Sequence, residues 1–227
     1  MNIGVKNNQA VARRFNHVAK QFESIIDAYS VSRRHNIVLP HLFGKVLSTG
    51  SGPGLFEATH QINTLIHMDI AVDMCKVLRQ KRHIAVCGDA ESLPVSNESL
   101  DGIVALEMLY YLNCPDHFLS EAFRVLKPGG HLMISSFNQR LKWYDRLIRR
   151  MLRVCSIGPQ YFDDPVERFF YQKELKDMIL HHGFSIDCQR SILIVPFKNL
   201  KSLDERLEKT FFQHLAMFHV FVARKPL

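Results

Sequence analysis

Between residues 45 and 135, short segments rich in Val, Ile and Leu alternate with segments of helical periodicity. This alternation is typical of parallel strands joined by helices, and it restricts the chain to folds with helices on both faces of a buried sheet. The sequence therefore predicts an α/β fold, with two further strands after a basic segment. The expected strands are Lys45–Thr49, Leu65–Asp69, His83–Cys87, Gly102–Leu106, His131–Ser135, Phe184–Ile194 and His219–Ala223.

Apolar residues at helical spacing, ended by Pro or Gly, indicate where helices lie between these strands. One or two helices are predicted within residues 8–39, before the first strand. The other predicted helices are 54–64, 72–81, 115–126, 172–182 and 203–212.

The composition of the 227 residues is that of an ordinary globular domain, with 47% hydrophobic and 22% charged residues. No apolar run approaches the roughly 18 residues of a membrane span, and the N-terminal sequence has no signal-like apolar core, so a cytoplasmic location is expected. The five cysteines form no CxxC pair, and no metal site is expected. Lys and Arg outnumber Asp and Glu by 29 to 22, which favours acidic partners without identifying one.

The segment VLSTGSGPG, residues 46–54, leads a strand into a turn that contains Gly50, Gly52 and Gly54. Glycines at such a turn let the backbone approach a ligand, and the N–H groups of a following helix would point at it. A plain connection between strand and helix is the alternative. A dinucleotide-binding turn needs a small residue where this chain has Leu55, so the spacing favours a ligand without a pyrophosphate.

Two carboxylates follow the next two predicted strands. Asp69 ends the second strand, where an acid can accept both hydroxyls of a ribose; its alternative role is the N-cap of the next helix. Asp89 ends the third strand, with Ala90 next, and can accept the exocyclic amine of an adenine ring. The two acids together therefore indicate an adenosine-containing ligand.

Five motifs, VLSTGSGPG, HMDIAVDM, GDAESLP, LDGIVALEMLYYL and RVLKPGGHLMIS, occur in this order across residues 45–136. In combination they resemble the class I S-adenosylmethionine-dependent methyltransferases. The resemblance implies a Rossmann-like sheet of seven strands, six parallel and one antiparallel, and S-adenosyl-L-methionine as cofactor. It also implies cofactor contacts at Ser48, Gly50, Ser51, Gly52, Gly54, Asp69, Ile70, Asp89, Ala90, Leu106 and Glu107.

One position departs from the family pattern. The family usually has an acid in the first strand, two residues before the first glycine, and this chain has Ser48 there. A serine can form hydrogen bonds but lacks the negative charge that attracts a cationic ligand. A non-catalytic S-adenosylmethionine-binding or scaffold protein therefore stays open as an alternative. A nucleotide-dependent oxidoreductase is disfavoured by Leu55 and Asp89.

The resemblance extends to two small-molecule groups, the malonyl-ACP O-methyltransferases and the ubiquinone/menaquinone C-methyltransferases. It implies methyl transfer to a small, acidic or lipid-like acceptor, either free or bound to a carrier protein. Glu107, Tyr110 and Tyr111 follow the fourth strand, where the family places the acceptor, and they are the candidate catalytic residues. For the two tyrosines, packing in the core with the hydroxyl at the rim is the alternative.

Residues 140–155 form a basic amphipathic helix in the sequence pattern, with apolar residues at helical spacing and arginines between them. The pattern is compatible with a lid that has a solvated basic face. It is also compatible with peripheral contact to an anionic membrane or to an acidic carrier protein. An RNA backbone is a third alternative, but no RNA-recognition motif supports it and nucleic acid is not expected.

We therefore treat residues 1–227 as a single methyltransferase-like domain with four parts. These are a helical N-terminal lid (1–43), a cofactor-binding core (44–138), a helical insertion or acceptor lid (139–170) and the C-terminal part of the sheet (171–227).

Overall fold

The computed structural model describes residues 8–56, 59–140, 169–195 and 198–227. Within these ranges it contains one seven-stranded sheet in the order β3-β2-β1-β4-β5-β7-β6. Strand β7 is antiparallel to both of its neighbours, and the other paired strands are parallel. The predicted mostly parallel sheet is therefore confirmed. The strands are β1 (Gly44–Thr49), β2 (Ile62–Asp69), β3 (Ile84–Cys87), β4 (Leu100–Leu106), β5 (Leu126–Phe137), β6 (Ser185–Ile192) and β7 (Phe218–Arg224).

The helices of the described residues agree with the predicted segments in most places. The predicted segment 8–39 contains three helices rather than one or two, and Asp27 begins the third of them by accepting the N–H groups of Tyr29 and Ser30. The helices are α1 (Asn8–Val18), α2 (Phe22–Ile25), α3 (Ala28–Val38), α4 (Val72–Gln80), α5 (Pro115–Val125), α6 (Gln172–His181) and α7 (Lys201–Leu207).

The helix predicted over 54–64 is wrong. Residues 62–64 belong to β2, and none of the described residues between 51 and 61 is helical. Space explains the difference, because the sheet face that a helix here would cover is already occupied. Val38 of α3 and Phe56 of the connection both pack into the core on that face, and His35 of α3 lies against the Phe56 ring at 5.0 Å between centroids.

The alternation of side chains along the strands divides the core into two layers. One layer contains Leu47, Ile103 and Ile134 under α5 and α6, which contribute Phe118 and Ile179. The opposite layer lies under α3 and is formed by residues of the same strands and of β7, namely Val46, Val104, Met133, Val220 and Val222. Because helices cover both faces, the strands read as continuous apolar runs in the sequence.

Polar contacts of α1 and α3 attach the N-terminal helices to the rest of the chain. Asn16 of α1 accepts the Asp73 N–H with its Oδ1 at 2.8 Å, which satisfies a free donor in the first turn of α4. Arg33 of α3 donates to Asp204 at 2.8 Å and to both oxygens of Glu208 at 2.7 and 2.8 Å. Asp204 has no exposed surface, so this contact is an ion pair inside the fold rather than on its surface.

Nearly all of the basic segment 140–155 lies outside the described residues, as does the rest of the predicted insertion up to residue 168. Among the helices that are described, none combines the length and the apolar character needed to cross a bilayer.

His67 in β2 makes stability depend on pH. The residue has no exposed surface, and neither ring nitrogen has a hydrogen-bond partner within the described ranges. Burial, together with the nearby His83 and Lys81, lowers the pKa of His67 from 6.5 to about 4. Between these values the unfolded chain binds a proton that the folded chain does not, so stability falls as the pH falls from 6.5 towards 4.

We expect the substitution His67→Leu to flatten this dependence. A single group with such a shift contributes a slope of up to about 1.4 kcal/mol per pH unit. Urea unfolding at a series of pH values measures the slope, and the exposed His17→Gln serves as the matched control. An unchanged slope in a folded His67→Leu protein would contradict the assignment.

Candidate active site

The glycine turn after β1 is held in place by the end of β2. Gly50, Gly52 and Gly54 all have positive φ angles, of 57°, 53° and 82°, which other residues rarely adopt. The Ser51 N–H donates to the Met68 carbonyl at 3.1 Å. Gly52 is buried, and a Cβ at this position would meet the Phe22 ring of α2 at 3.5 Å, so α2 packs against the turn here.

Asp69 anchors this turn. Its Oδ2 accepts the Gly52 N–H at 2.8 Å and its Oδ1 accepts the Ala71 N–H at 2.9 Å. Burial raises the pKa of Asp69, and the backbone hydrogen bonds oppose that rise. The alternative role as N-cap is wrong, since α4 begins at Ala71 as its N-cap. A carboxylate has about four acceptor sites, so Asp69 can still accept a hydroxyl in addition to its backbone donors.

Asp89 lies after β3 at the same edge. Its Oδ1 accepts the Glu91 N–H at 2.9 Å, and its Oδ2 accepts the amide of Asn8 at 2.6 Å. An amide N–H₂ and the exocyclic amine of adenine are equivalent donors, so Asn8 makes the contact that the sequence assigned to a ligand. No sequence signal points to Asn8, because eighty-one positions separate it from Asp89. Ala90 beside it is buried.

Glu107 follows β4 with a φ of 59°, a left-handed backbone that is uncommon for a residue with a side chain. Its Oε1 accepts the Ser135 hydroxyl at 2.6 Å and its Oε2 accepts the Tyr110 hydroxyl at 3.3 Å. Burial raises the pKa of Glu107, while the positive charge of Arg34 and the two hydroxyls lower it. The carboxylate is therefore fixed in orientation at the end of the strand.

Arg34 is a further charged residue at this end of the sheet, and the sequence analysis did not select it. It is 7% exposed, its guanidinium lies 4.3 Å from the centre of the Phe218 ring, and it donates to the Ser30 hydroxyl at 2.8 Å. Its Nε has no hydrogen-bond partner among the described residues. From the sequence pattern alone, an arginine on an amphipathic helix is expected to be exposed to solvent. Arg34 is buried because α3 packs on the sheet.

The two tyrosines after β4 differ in their surroundings. The Tyr110 ring is 3% exposed and packs in the core with its hydroxyl on Glu107, as the packing alternative predicted. Tyr111 is partly buried and contacts the Phe15 ring of α1 at 5.0 Å. Both rings therefore have a packing role, and Tyr110 also orients the Glu107 carboxylate.

The strand order brings most of the predicted site residues to one edge. The glycine turn, Asp69, Asp89 and Glu107 follow β1, β2, β3 and β4, and β1 and β4 are neighbours in the sheet although they are not consecutive. This reversal of strand order is where ligands bind in open α/β sheets. Ile70 and Leu106 lie at the same edge, whereas Ser48 is buried one residue inside β1.

The family comparison agrees with this geometry. Residues 47–134 match a family model described as a methyltransferase domain. Over these residues, which are less than half of the chain, the protein matches a methyltransferase domain. This match confirms the resemblance drawn from the five motifs, and it covers the glycine turn, Asp69, Asp89 and Glu107.

A relative and two solved structures extend the comparison. A malonyl-[acyl-carrier protein] O-methyltransferase of Laribacter hongkongensis is 31% identical over 176 residues, which cover 69% of this chain and 57% of the relative. The [4+2]-cyclase SpnF has a TM-score of 0.69 at 18% identity, over 98% of this chain and 97% of its own. An S-adenosylmethionine-dependent methyltransferase from Mesorhizobium loti has a TM-score of 0.62 at 17% identity, over 88% and 100%. The two structures show a shared fold.

The chain spans only part of the curated relatives that it matches. It covers 35%, 19%, 57% and 42% of the lengths of four of them. The substrates of those complete proteins therefore cannot be assigned to this chain from the match alone.

We expect Asp69→Ala to weaken the binding of S-adenosylhomocysteine and also to lower stability. Each hydrogen bond to a charged carboxylate contributes about 1.5–3 kcal/mol, and the Gly52 and Ala71 N–H groups lose their acceptor together with any ligand hydroxyl. Calorimetry measures the affinity and urea unfolding measures the stability. Asp73→Ala, which removes an exposed acid from α4, is the control. Full affinity in a folded Asp69→Ala protein would refute the site.

The substitution Ser48→Asp tests the departure from the family pattern. Ser48 is paired with His67 in the neighbouring strand, on the same sheet face. A carboxylate there should raise the pKa of His67 and should strengthen binding of cationic S-adenosylmethionine more than binding of uncharged S-adenosylhomocysteine. NMR titration of His67 and calorimetry with both compounds check the two effects. An equal loss of affinity for both compounds in a folded protein would contradict this expectation.

Proposed function

We propose that this protein transfers a methyl group from S-adenosyl-L-methionine to a small, acidic or lipid-like acceptor. The observation that carries the proposal is the buried Asp69 carboxylate, which is bonded to Gly52 of the glycine turn, at the edge of the sheet where β1 and β4 are neighbours. Ligands bind at this point in open α/β sheets, and a carboxylate there can accept a ribose hydroxyl.

The residues at this edge fit the cofactor. Asp69 would hold the ribose hydroxyls, the glycine turn the amino acid part, and Asp89 and Ala90 the adenine side, where the adenine amine would replace the Asn8 amide on Asp89. When bound, S-adenosylmethionine supplies an electrophilic methyl group on a sulfonium centre. The protein would then have to hold the acceptor in line with that group. Such orientation lowers the barrier to methyl transfer.

Glu107 would act on the acceptor. Its carboxylate is held by Ser135 and Tyr110, and its pKa is raised by burial, so it can accept a proton from a hydroxyl acceptor as the methyl group is transferred. A carboxylate acceptor carries no such proton near neutral pH, and Glu107 would then only orient it. The L. hongkongensis relative is named for a carrier-bound malonyl group, which supports the acidic class and a carrier-bound form.

The alternative of a non-catalytic cofactor-binding protein rests on Ser48. It is supported by the replacement of the acid that the family usually has there. SpnF, whose fold this chain shares, is named as a cyclase, so this fold carries more than one activity.

The test is label transfer from S-adenosylmethionine with a radioactive methyl group. The acceptors offered should be a malonyl-loaded carrier protein, free long-chain acids and phenols with a polyprenyl tail. Label in an acceptor supports the enzyme. Calorimetric binding of S-adenosylhomocysteine with no label in any acceptor favours the non-catalytic protein, and absence of binding refutes both proposals.

For a hydroxyl acceptor we expect Glu107→Gln to reduce turnover by about 100- to 10,000-fold, the range typical of a lost general base. Affinity for S-adenosylhomocysteine should change little, because Gln keeps the shape and one acceptor oxygen. Tyr110→Phe is the matched control and should have a smaller effect on turnover, since it removes one hydrogen bond to the carboxylate. Normal turnover in Glu107→Gln would exclude a base at this position.

A further inference from the structure

A second polar site lies beyond β5, at the edge of the sheet that also holds Glu107. A cleft of about 700 Å³ is formed there by the end of β5, the first turns of α6, the turn Phe211–Leu215 and the start of β7. None of the residues that line it was selected from the sequence as a cofactor or catalytic residue. Four of them carry the argument: Arg140, Gln172, Lys173 and His219.

The surroundings of His219 suit a ring that carries its proton on Nε2. The Gln172 amide N–H donates to the Ser191 hydroxyl oxygen at 2.9 Å, and that oxygen is 2.9 Å from His219 Nδ1. The Ser191 hydroxyl can donate its own proton to Nδ1, which leaves the proton of the neutral ring on Nε2. We assign this tautomer to His219 and test it below.

The Nε2–H group of His219 is a buried donor that the fold does not use. The residue is 2% exposed, it lines the cleft, and Nε2 has no hydrogen-bond partner among the described residues. Burial and the nearby Arg140 lower the pKa of His219 to about 4, so the ring is neutral at neutral pH. Ser136 is paired with His219 across β5 and β7, and its buried hydroxyl also lacks a partner in the part of the chain that the structure describes. Buried polar groups are normally satisfied, so these two point to a ligand.

Two cationic and two acidic side chains line the cleft, so an anion would bind through individual contacts rather than through a net positive charge. Arg140 is exposed and forms no ion pair with any described residue. Lys173 lies in the first turn of α6, and the partial positive charge of a helix N-terminus adds to it. The acids on the same wall are Glu174 and Asp177, and Glu174 turns back to accept the Tyr171 N–H at 3.4 Å.

We propose that this cleft binds an anionic oxygen group, a carboxylate or a phosphate, of the methyl acceptor, with the Nε2–H of His219 as donor and Arg140 as counter-charge. The link to an acceptor rests on the proposed function, whereas the anion site does not. Ser136, which pairs with His219, is next to Ser135, which donates to Glu107, and neighbouring residues of a strand face opposite sides of the sheet. An acceptor would therefore reach from Glu107 to the cleft around the end of β5.

The first test is NMR of the protein labelled with ¹⁵N in its histidines. The His219 signals should show a neutral ring protonated on Nε2, and addition of inorganic phosphate or acetate should shift that resonance. A shift with phosphate alone identifies a phosphate group, and a shift with acetate alone identifies a carboxylate. A proton on Nδ1, or no shift with either anion, would overturn the proposal.

Variants then test the two contacts. His219→Leu and Arg140→Gln should each lower the affinity for the anion that binds by about tenfold. His219→Gln keeps an N–H donor and should lower that affinity less. Lys76→Gln removes an exposed positive charge from α4 and should have no effect. Arg140 is on the surface, so its variant remains informative if His219→Leu does not fold. Unchanged anion affinity in Arg140→Gln would overturn the proposal.

Affinity for S-adenosylhomocysteine should be unchanged in all four variants, because Asp69 and Asp89 lie on the other side of β4. If S-adenosylhomocysteine does not bind even the parent protein but the anion binds as expected, the proposed function fails and the anion site stands. If the cofactor binds and the anion does not, the anion site fails alone.

Discussion

The Asp69 carboxylate joins the glycine turn after β1 to the beginning of α4 after β2. It does so with one hydrogen bond to Gly52 and one to Ala71, in a position that is almost fully buried. A charge in such a position is tolerable only because its oxygens are hydrogen-bonded. The site depends on this arrangement, since the turn has no helix behind it to hold its backbone in place.

The N-terminal helices take over the role of the missing helix. Val38 and Phe56 fill the sheet face that it would have covered, and α3 is held there by the buried contact of Arg33 with Asp204. The same packing brings Arg34 next to Phe218 and Glu107, and Asn8 next to Asp89. The segment that completes the core therefore also supplies polar groups to the site.

Strand positions and the acids that follow them could be predicted because both are local properties. Apolar runs mark buried parallel strands, and the acids Asp69, Asp89 and Glu107 come directly after three of these runs. The helix after the glycine turn was predicted wrongly, since residues 54–64 have helical spacing but the sheet face above them belongs to α3. Which element covers a given face of the sheet depends on tertiary packing. The local spacing of apolar residues does not predict it.

The sequence by itself determined the sheet, the motif order of the methyltransferase family and the carboxylates at one edge, because each depends on residues close together in the chain. Tertiary structure alone decided which polar groups are buried and which of them are paired. His219 meets Gln172 and Ser191 through pairing of β6 with β7 and packing of α6, and Asn8 reaches Asp89 across the fold. Such contacts join residues from 19 to 81 positions apart, so only the closed fold sets their distances and their protonation.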